Sequence, residues 1–330
     1  MIYSIKVKHI SRQRSPIEFN NKLFFSLADY RNNLFISNDP KKIIEFYNGF
    51  QNRDQLIHWM RERPKGVSYI HDVGGENKDI IVVIPTADYE GKYARECREN
   101  VFKGMHMIFV ESGENPDPYF NYAHNCNVGI KKAMEYKPKW IIISNDDVYK
   151  IDEIESLISI LLKFNNEEET IVHTLTNGKY HSRYALISTR TFFRRIILKM
   201  MGRNEYMRVL LESKFDVKYI VGSSIGIYRF LYNPILRVKY SGSFTIISSA
   251  LANKMNGLIF DETFINGAED IDLALLLKQN GTKIEYVDYK IGDIIGGTIG
   301  PYNIIRRLRD LINICYLNTK ILTIYIKLIE

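Results

Sequence analysis

Three apolar runs constrain this chain more than anything else in it: "IIVVIPT" at 80–86, "MHMIFVES" at 105–112 and "WIIIS" at 140–144. Runs so continuous in Ile and Val have no wet face to offer, so each strand must be covered on both sides. Helical patterns around 91–102 and 121–136 lie between them and supply the cover. Strands joined through helices pair in parallel, so the expected fold class is α/β, a mostly parallel sheet with flanking helices. In such sheets ligands collect at the carboxyl ends of the strands. The turns at Pro85 and Thr86, at Glu111 and Ser112, and at Asn145, Asp146 and Asp147 are therefore expected at one edge.

With 330 residues, 45% of them hydrophobic, the chain can bury a large core. Residues 1 to 78 read as a separate opening segment of unassigned role. It contains a strand-like "IYSIKVKHI", two helical stretches, "DPKKIIEFYNGF" and "RDQLIHWMRER", and a linker marked by Pro64 and "DVGGENKD". The α/β domain is expected over 79 to 300, and 301 to 330 reads as a basic amphipathic extension. Cys97, Cys126 and Cys315 are widely spaced and form no CxxC pair, which points away from zinc or a disulfide framework and toward a reducing, cytoplasmic setting. The first residues lack the unbroken apolar core of a secretory signal. Lys320 and Lys327 interrupt the last apolar stretch well short of the ~20 residues that span a bilayer.

Two acidic motifs carry the chemistry. In "IIISNDDVYK" (141–150) a buried strand runs into Asn145, Asp146 and Asp147. Adjacent carboxylates repel unless solvent, a donor or a cation offsets them. One reading is a Mg²⁺-type site, which takes one or two carboxylates together with phosphate oxygens and water. The other is a solvated turn leading to the next helix, "IDEIESLISILLKF", with Asp152 and Glu155 as a capping box. The second motif, "IFDETFINGAEDIDLALLLKQNG" (259–281), contains a helix expected over 268 to 279 with Gly281 as its stop. Glu269, Asp270 and Asp272 fill its first turn, where acidic residues also complement the macrodipole.

Together these motifs resemble the family 2 glycosyltransferases of the GT-A fold over residues 79 to 300. The second motif is similar to that family's Phe-Asp-Glu, aromatic spacer and Glu-Asp-x-Asp-Leu pattern. "IIVVIPT" resembles the first strand, and "FVESGENPD" the second, with Glu111 where the family usually has Asp. "HNCNVGIKKAM" resembles an Asn-x-Gly helix start, and "DIIGGT" a His-x-x-Gly-Gly motif in which Asp293 replaces His ahead of Gly296, Gly297 and Thr298. The resemblance implies a nucleotide-diphosphate sugar donor and inverting transfer to a hydroxyl on a glycan, a lipid-linked sugar or a protein. It implies nucleotide contacts from Pro85, Thr86, Glu111, Asn127, Asn145 and Asp146. It also implies Mn²⁺ or Mg²⁺ on Asp147, with Asp293 as a second ligand, and Asp270 as catalytic base, with Glu269 as the other candidate.

The formal net charge is +7, which suits a polyanion or an anionic membrane. Two basic runs, "RTFFRRIILKMMGR" (190–203) and "IIRRLRDLINICYL" (304–317), read either as helices packed on the domain with a basic rim or as peripheral membrane helices. No nucleic-acid-binding motif is present, and the basic residues form no stripe with stacking aromatics. The rival readings are nucleotidyl transfer on a related fold, whose Gly-rich basic signature "IPTADYEGKYAR" lacks, and a non-catalytic nucleotide-sugar or glycan-binding module.

Overall fold

The computed structural model describes residues 30–113, 116–188, 196, 199–223, 232–294 and 303–329. The chain is mixed α/β. Ile80 to Ile84 are buried completely, as their unbroken apolar sequence requires, within β2 (Asn77–Thr86). This strand pairs in parallel with β3 (Met105–Ser112) on one side and β4 (Trp140–Ser144) on the other. Beyond β4 the order continues through β10 (Phe244–Ser248), β6 (Thr170–Thr176), β11 (Lys283–Asp293) and β5 (Val148–Lys150), while β1 (Ser68–Val73) closes the other side, giving eight strands. The pairings make β2, β3, β4, β6 and β11 run one way and β1, β10 and β5 the other. A separate three-stranded sheet has the order β8 (Tyr219–Gly222), β7 (His181–Ser188), β9 (Tyr232–Tyr240).

Several local expectations are corrected. The stretch 72–79, expected as a linker, is mostly strand: Asp72 and Val73 end β1, which pairs antiparallel with β3 from Ser68–Ser112 to Val73–Met107, and Asn77 to Asp79 open β2. The stretch "TIISSALANKM", helix-like throughout in its apolar pattern, divides in two: Thr245–Ser248 belong to β10, antiparallel between β4 and β6, and Ser249–Lys254 (α7) are helical. Asp152 does not cap the helix Ile154–Leu161 (α5), since its carboxylate accepts the Lys290 N–H at 2.7 Å. The "VYK" after Asp147 forms strand β5 against β11, so the acidic turn leads into a strand and not into a helix.

One face of the sheet is covered by Lys92–Glu96 (α3), the π-helical turn Cys97–Val101 and α5, packed on Ile80, Val82, Phe109 and Ile142. The other face carries Tyr122–Met134 (α4), α7 and Glu269–Gln279 (α8) over Ile81, Val83, Ile108 and Ile143. At Gly129 on α4 a Cβ would lie 2.3 Å from Val83 Cγ1 and 2.9 Å from Val110 Cγ2, so this residue is set by helix-on-sheet approach.

A third core joins both outer segments of the chain. Helices Pro40–Asn48 (α1) and Arg53–Glu62 (α2) present Phe46, Tyr47, Leu56 and Met60 to Leu308, Leu311, Ile312 and Cys315 of the long helix Ile304–Ile329 (α9). Phe264, Ala274 and Leu275 extend the same core to α8, and Leu211 joins it from the helix Arg203–Lys214 (α6). The apolar face of α9 is thus occupied by the fold, which is the packed alternative for this basic run. In the other run Phe192, Arg194 and Arg195 lie outside the described residues, while Met200 is exposed. Among the described residues no helix is long and apolar enough to cross a membrane.

Candidate functional site at the carboxyl edge of the sheet

The strand directions bring the ends of β2, β4, β6 and β11 and the start of β10 to one edge. There Thr86 donates its hydroxyl to the Asp146 carboxylate at 2.7 Å, and Cys97 Sγ contacts the Asp146 carbonyl at 3.3 Å. Asn145 is fixed at both ends: its N–H donates to the Ser243 carbonyl at 2.9 Å, and its side-chain oxygen accepts the Tyr122 hydroxyl at 2.9 Å. Asp146 and Asp147 are only 5% and 6% exposed, which removes the solvated-turn reading of this motif.

The short β5 gives Asp147 its neighbour. Asp293 stands opposite Val148 in the β11–β5 register, and the Ile294 N–H donates to the Asp147 carbonyl at 3.0 Å. Asn177 brackets the Asp293 main chain, accepting its N–H at 3.0 Å and donating to its carbonyl at 3.1 Å. Burial raises the Asp293 carboxyl above its ordinary range, against a hydrogen bond from Ser243. Among the described residues no three His, Cys, Asp or Glu side chains gather into a ready cage. A Mg²⁺ or Mn²⁺ whose shell is completed by phosphate oxygens and water needs no more than one or two carboxylates from the protein. Gly296, Gly297 and Thr298 lie outside the described residues.

The second acidic cluster faces this edge across the turn 241–243. Asp270 lines a small pocket with Tyr240, Ser241, Gly242, Ser243 and His173. Its carboxylate accepts the Ile271 N–H at 2.7 Å and the Tyr240 hydroxyl. Burial raises its pKa, opposed by the Ile271 N–H and the Arg183 charge. Glu269 lies deeper, with Oε2 buried and unbonded, and burial together with the adjacent Asp270 charge pushes it up to about 8. The backbone leading into this turn is strained, because Asn266 and Ala268 both adopt left-handed φ values of 53° and 68°. No side chain caps α8, so its first-turn N–H groups face the carboxylates themselves.

Two of the expected nucleotide contacts do other work. Glu111 is at the edge, but Oε1 accepts the Tyr89 N–H at 2.9 Å and Oε2 pairs with His71 at 2.7 Å, beneath a His71–Tyr89 stack 3.9 Å apart. Asn127 is buried and clamps the approach to the second motif: its amide donates to the Phe260 carbonyl at 2.8 Å and to Glu262 at 3.0 Å, and accepts the Phe260 N–H at 3.0 Å. Pro85 is buried in β2 opposite Val110, beside Thr86.

The residues that sequence reasoning missed come from far along the chain. Lys320 on α9 reaches Asp261 at 2.5 Å and Asp272 at 2.6 Å, Tyr316 donates to Asp261 at 2.8 Å, and Asn313 brackets Ile265 at 2.8 and 2.9 Å. The two acids respond in opposite ways. Burial dominates at Asp272 and raises it, whereas at Asp261 burial is outweighed by the Lys320, Thr263 and Tyr316 hydrogen bonds, which hold it low. The side chain of Asp272 is 8% exposed, so removing the ammonium strands a buried carboxylate. Lys320→Met is expected to lower unfolding free energy by roughly 2–3 kcal/mol in urea titrations at neutral pH. A change within a few tenths of a kcal/mol would show that α9 does not brace this loop.

No protein-family model matches the chain, and none of the curated proteins is significantly similar to it.

Proposed function

We propose that this protein is a metal-dependent, inverting glycosyltransferase on a GT-A-type α/β scaffold, moving a sugar from a nucleotide diphosphate to an acceptor hydroxyl. The observation that carries the reading is the opposition of two acidic sites across the 241–243 turn: Asp146, Asp147 and Asp293 on one side, Asp270 on the other. Inverting transfer needs this division of labour. The acceptor oxygen bonds to the anomeric carbon as the carbon–oxygen bond to the diphosphate breaks, and the acceptor proton must leave at the same time. Asp270 takes that proton, and its raised pKa brings it nearer the basicity such a group needs at neutral pH. Glu269, pushed up to about 8, is protonated at neutral pH and is the weaker candidate for base. A Mg²⁺ or Mn²⁺ on Asp147 and Asp293 would stabilise the charge of the departing diphosphate. Thr86 fixes the Asp146 carboxylate by its hydrogen bond, and Tyr122 and Ser243 fix Asn145, so the edge is ordered before donor arrives.

The test is a thermal-shift panel of nucleotide-diphosphate sugars with and without Mn²⁺. Metal-dependent stabilisation by at least one donor is expected, and it should be lost in Asp147→Asn. A panel in which no nucleotide shifts the melting temperature with metal would sink the reading.

A further inference from the structure

A second opening adjoins the Asp270 pocket. It is an open groove of about 290 Å³ lined by Arg237, Lys239, Lys278, Tyr286 and others, and it shares His173 and Ala274 with that pocket. That is room for a single sugar unit and not for a larger ligand. Three cations converge on it, and none of the three forms an ion pair among the described residues. The Lys278 ammonium donates to the Arg237 carbonyl at 3.0 Å. Lys239 lies between two rings, 3.9 Å from the centre of Tyr180 and 4.4 Å from that of Tyr286. The acids on β11 beside it are paired elsewhere, Glu285 with Lys283 at 3.6 Å and Asp288 with Lys290 at 3.7 Å. Like charges so placed repel, and an anion between them would relieve the repulsion. The half-exposed Tyr286 ring adds a flat wall on which a sugar ring can rest.

We propose that this groove binds a carboxylate or phosphate group carried by the acceptor, so that the substrate is an acidic saccharide or sugar phosphate; this rests on the glycosyl-transfer reading. The donor diphosphate belongs to the Asp147 edge, on the far side of the 241–243 turn. An acceptor whose hydroxyl meets Asp270 extends past His173 and Ala274, and its next residue enters the cationic groove. His173 suits this passage because burial and the Lys239 charge lower its pKa to about 4, leaving a neutral ring that adds no charge to the lining.

Calorimetric titration at low ionic strength with glucuronate, glucose 6-phosphate and glucose tests the proposal. At least one of the two acidic sugars should bind and glucose should not, and the tighter of the two names the charged group. The double variant K239M/K278M should weaken acid binding at least roughly tenfold, while it still melts cooperatively without ligand and its stabilisation by nucleotide sugar stays unchanged. Equal binding of glucose, no binding of either acid, or unchanged acid binding by the variant would overturn the proposal. Acid binding that depends on the two lysines, in a protein that no nucleotide sugar stabilises, supports the groove and removes the transfer reading instead. Should the double variant lose its fold, K278M alone, changed at an exposed position, gives the same comparison.

Discussion

Asp270→Asn is expected to cut the turnover rate by roughly 10²–10⁴-fold, the usual contribution of a positioned general base, while leaving donor affinity within a factor of about two. The amide is isosteric: its oxygen can keep the Ile271 N–H and its NH2 can donate to the Tyr240 hydroxyl oxygen, so the local fold has no reason to change. It cannot take a proton. The loss should therefore appear in the rate and not in the donor dissociation constant, which depends on the opposite side of the 241–243 turn. On the acid side of the pH–rate profile, activity of the wild type should fall as Asp270 becomes protonated, at a pH above that of an ordinary aspartate because burial raises the group. Normal turnover by Asp270→Asn would remove Asp270 as the base.

Glu269→Gln should stabilise the protein, and increasingly so as pH rises. Glu269 is buried with one oxygen unbonded, and its folded pKa of about 8 stands above the ordinary 4.5. Between those values the folded chain holds a proton that the unfolded chain has released, so stability falls as pH rises through the window and levels off above it. The full loss is of order 3–5 kcal/mol, and the neutral glutamine does not incur it. Urea titrations at pH 4 and pH 9 check this: the two proteins should be close at pH 4 and well separated at pH 9, with the variant higher. Parallel curves across that range would mean that Glu269 is not held protonated.

The sequence made β2, β3 and β4 readable because strands buried on both faces leave an unbroken apolar record. The same property hid β10, whose "FTIIS" merges into "SALANKM" with no polar alternation to separate strand from helix. β5 is three residues long, too short for any periodic signal, yet it is the element that sets Asp293 beside Asp147. Asp152 and Glu155 have the spacing of a capping box, but a strand N–H from Lys290 competes successfully for the Asp152 carboxylate. Of the site, both acidic motifs were legible because they are local. Tyr240, His173 and Lys320 were not, because each reaches the site through pairing or docking over long separations. The amphipathic face of α9 could be seen, but its partner could not: Tyr47 donates to the Leu308 carbonyl across 261 residues.

The bracing of the acidic loop by α9 also orders events during synthesis. The Phe260, Asp261 and Glu262 approach leaves the ribosome before its clamp, since Tyr316 follows Asp261 by 55 residues. Until Asn313, Tyr316 and Lys320 have emerged, the loop has neither its counter-charge nor its hydrogen-bond donors, and α8 lacks a wall of its core. The sheet can assemble from β1 to β4 well before then, as domains tend to do while the chain is still growing. The nascent protein would therefore acquire its scaffold early and a rigid acidic site late, and a ribosome stalled near residue 300 would display β1 to β4 folded with an unfinished centre.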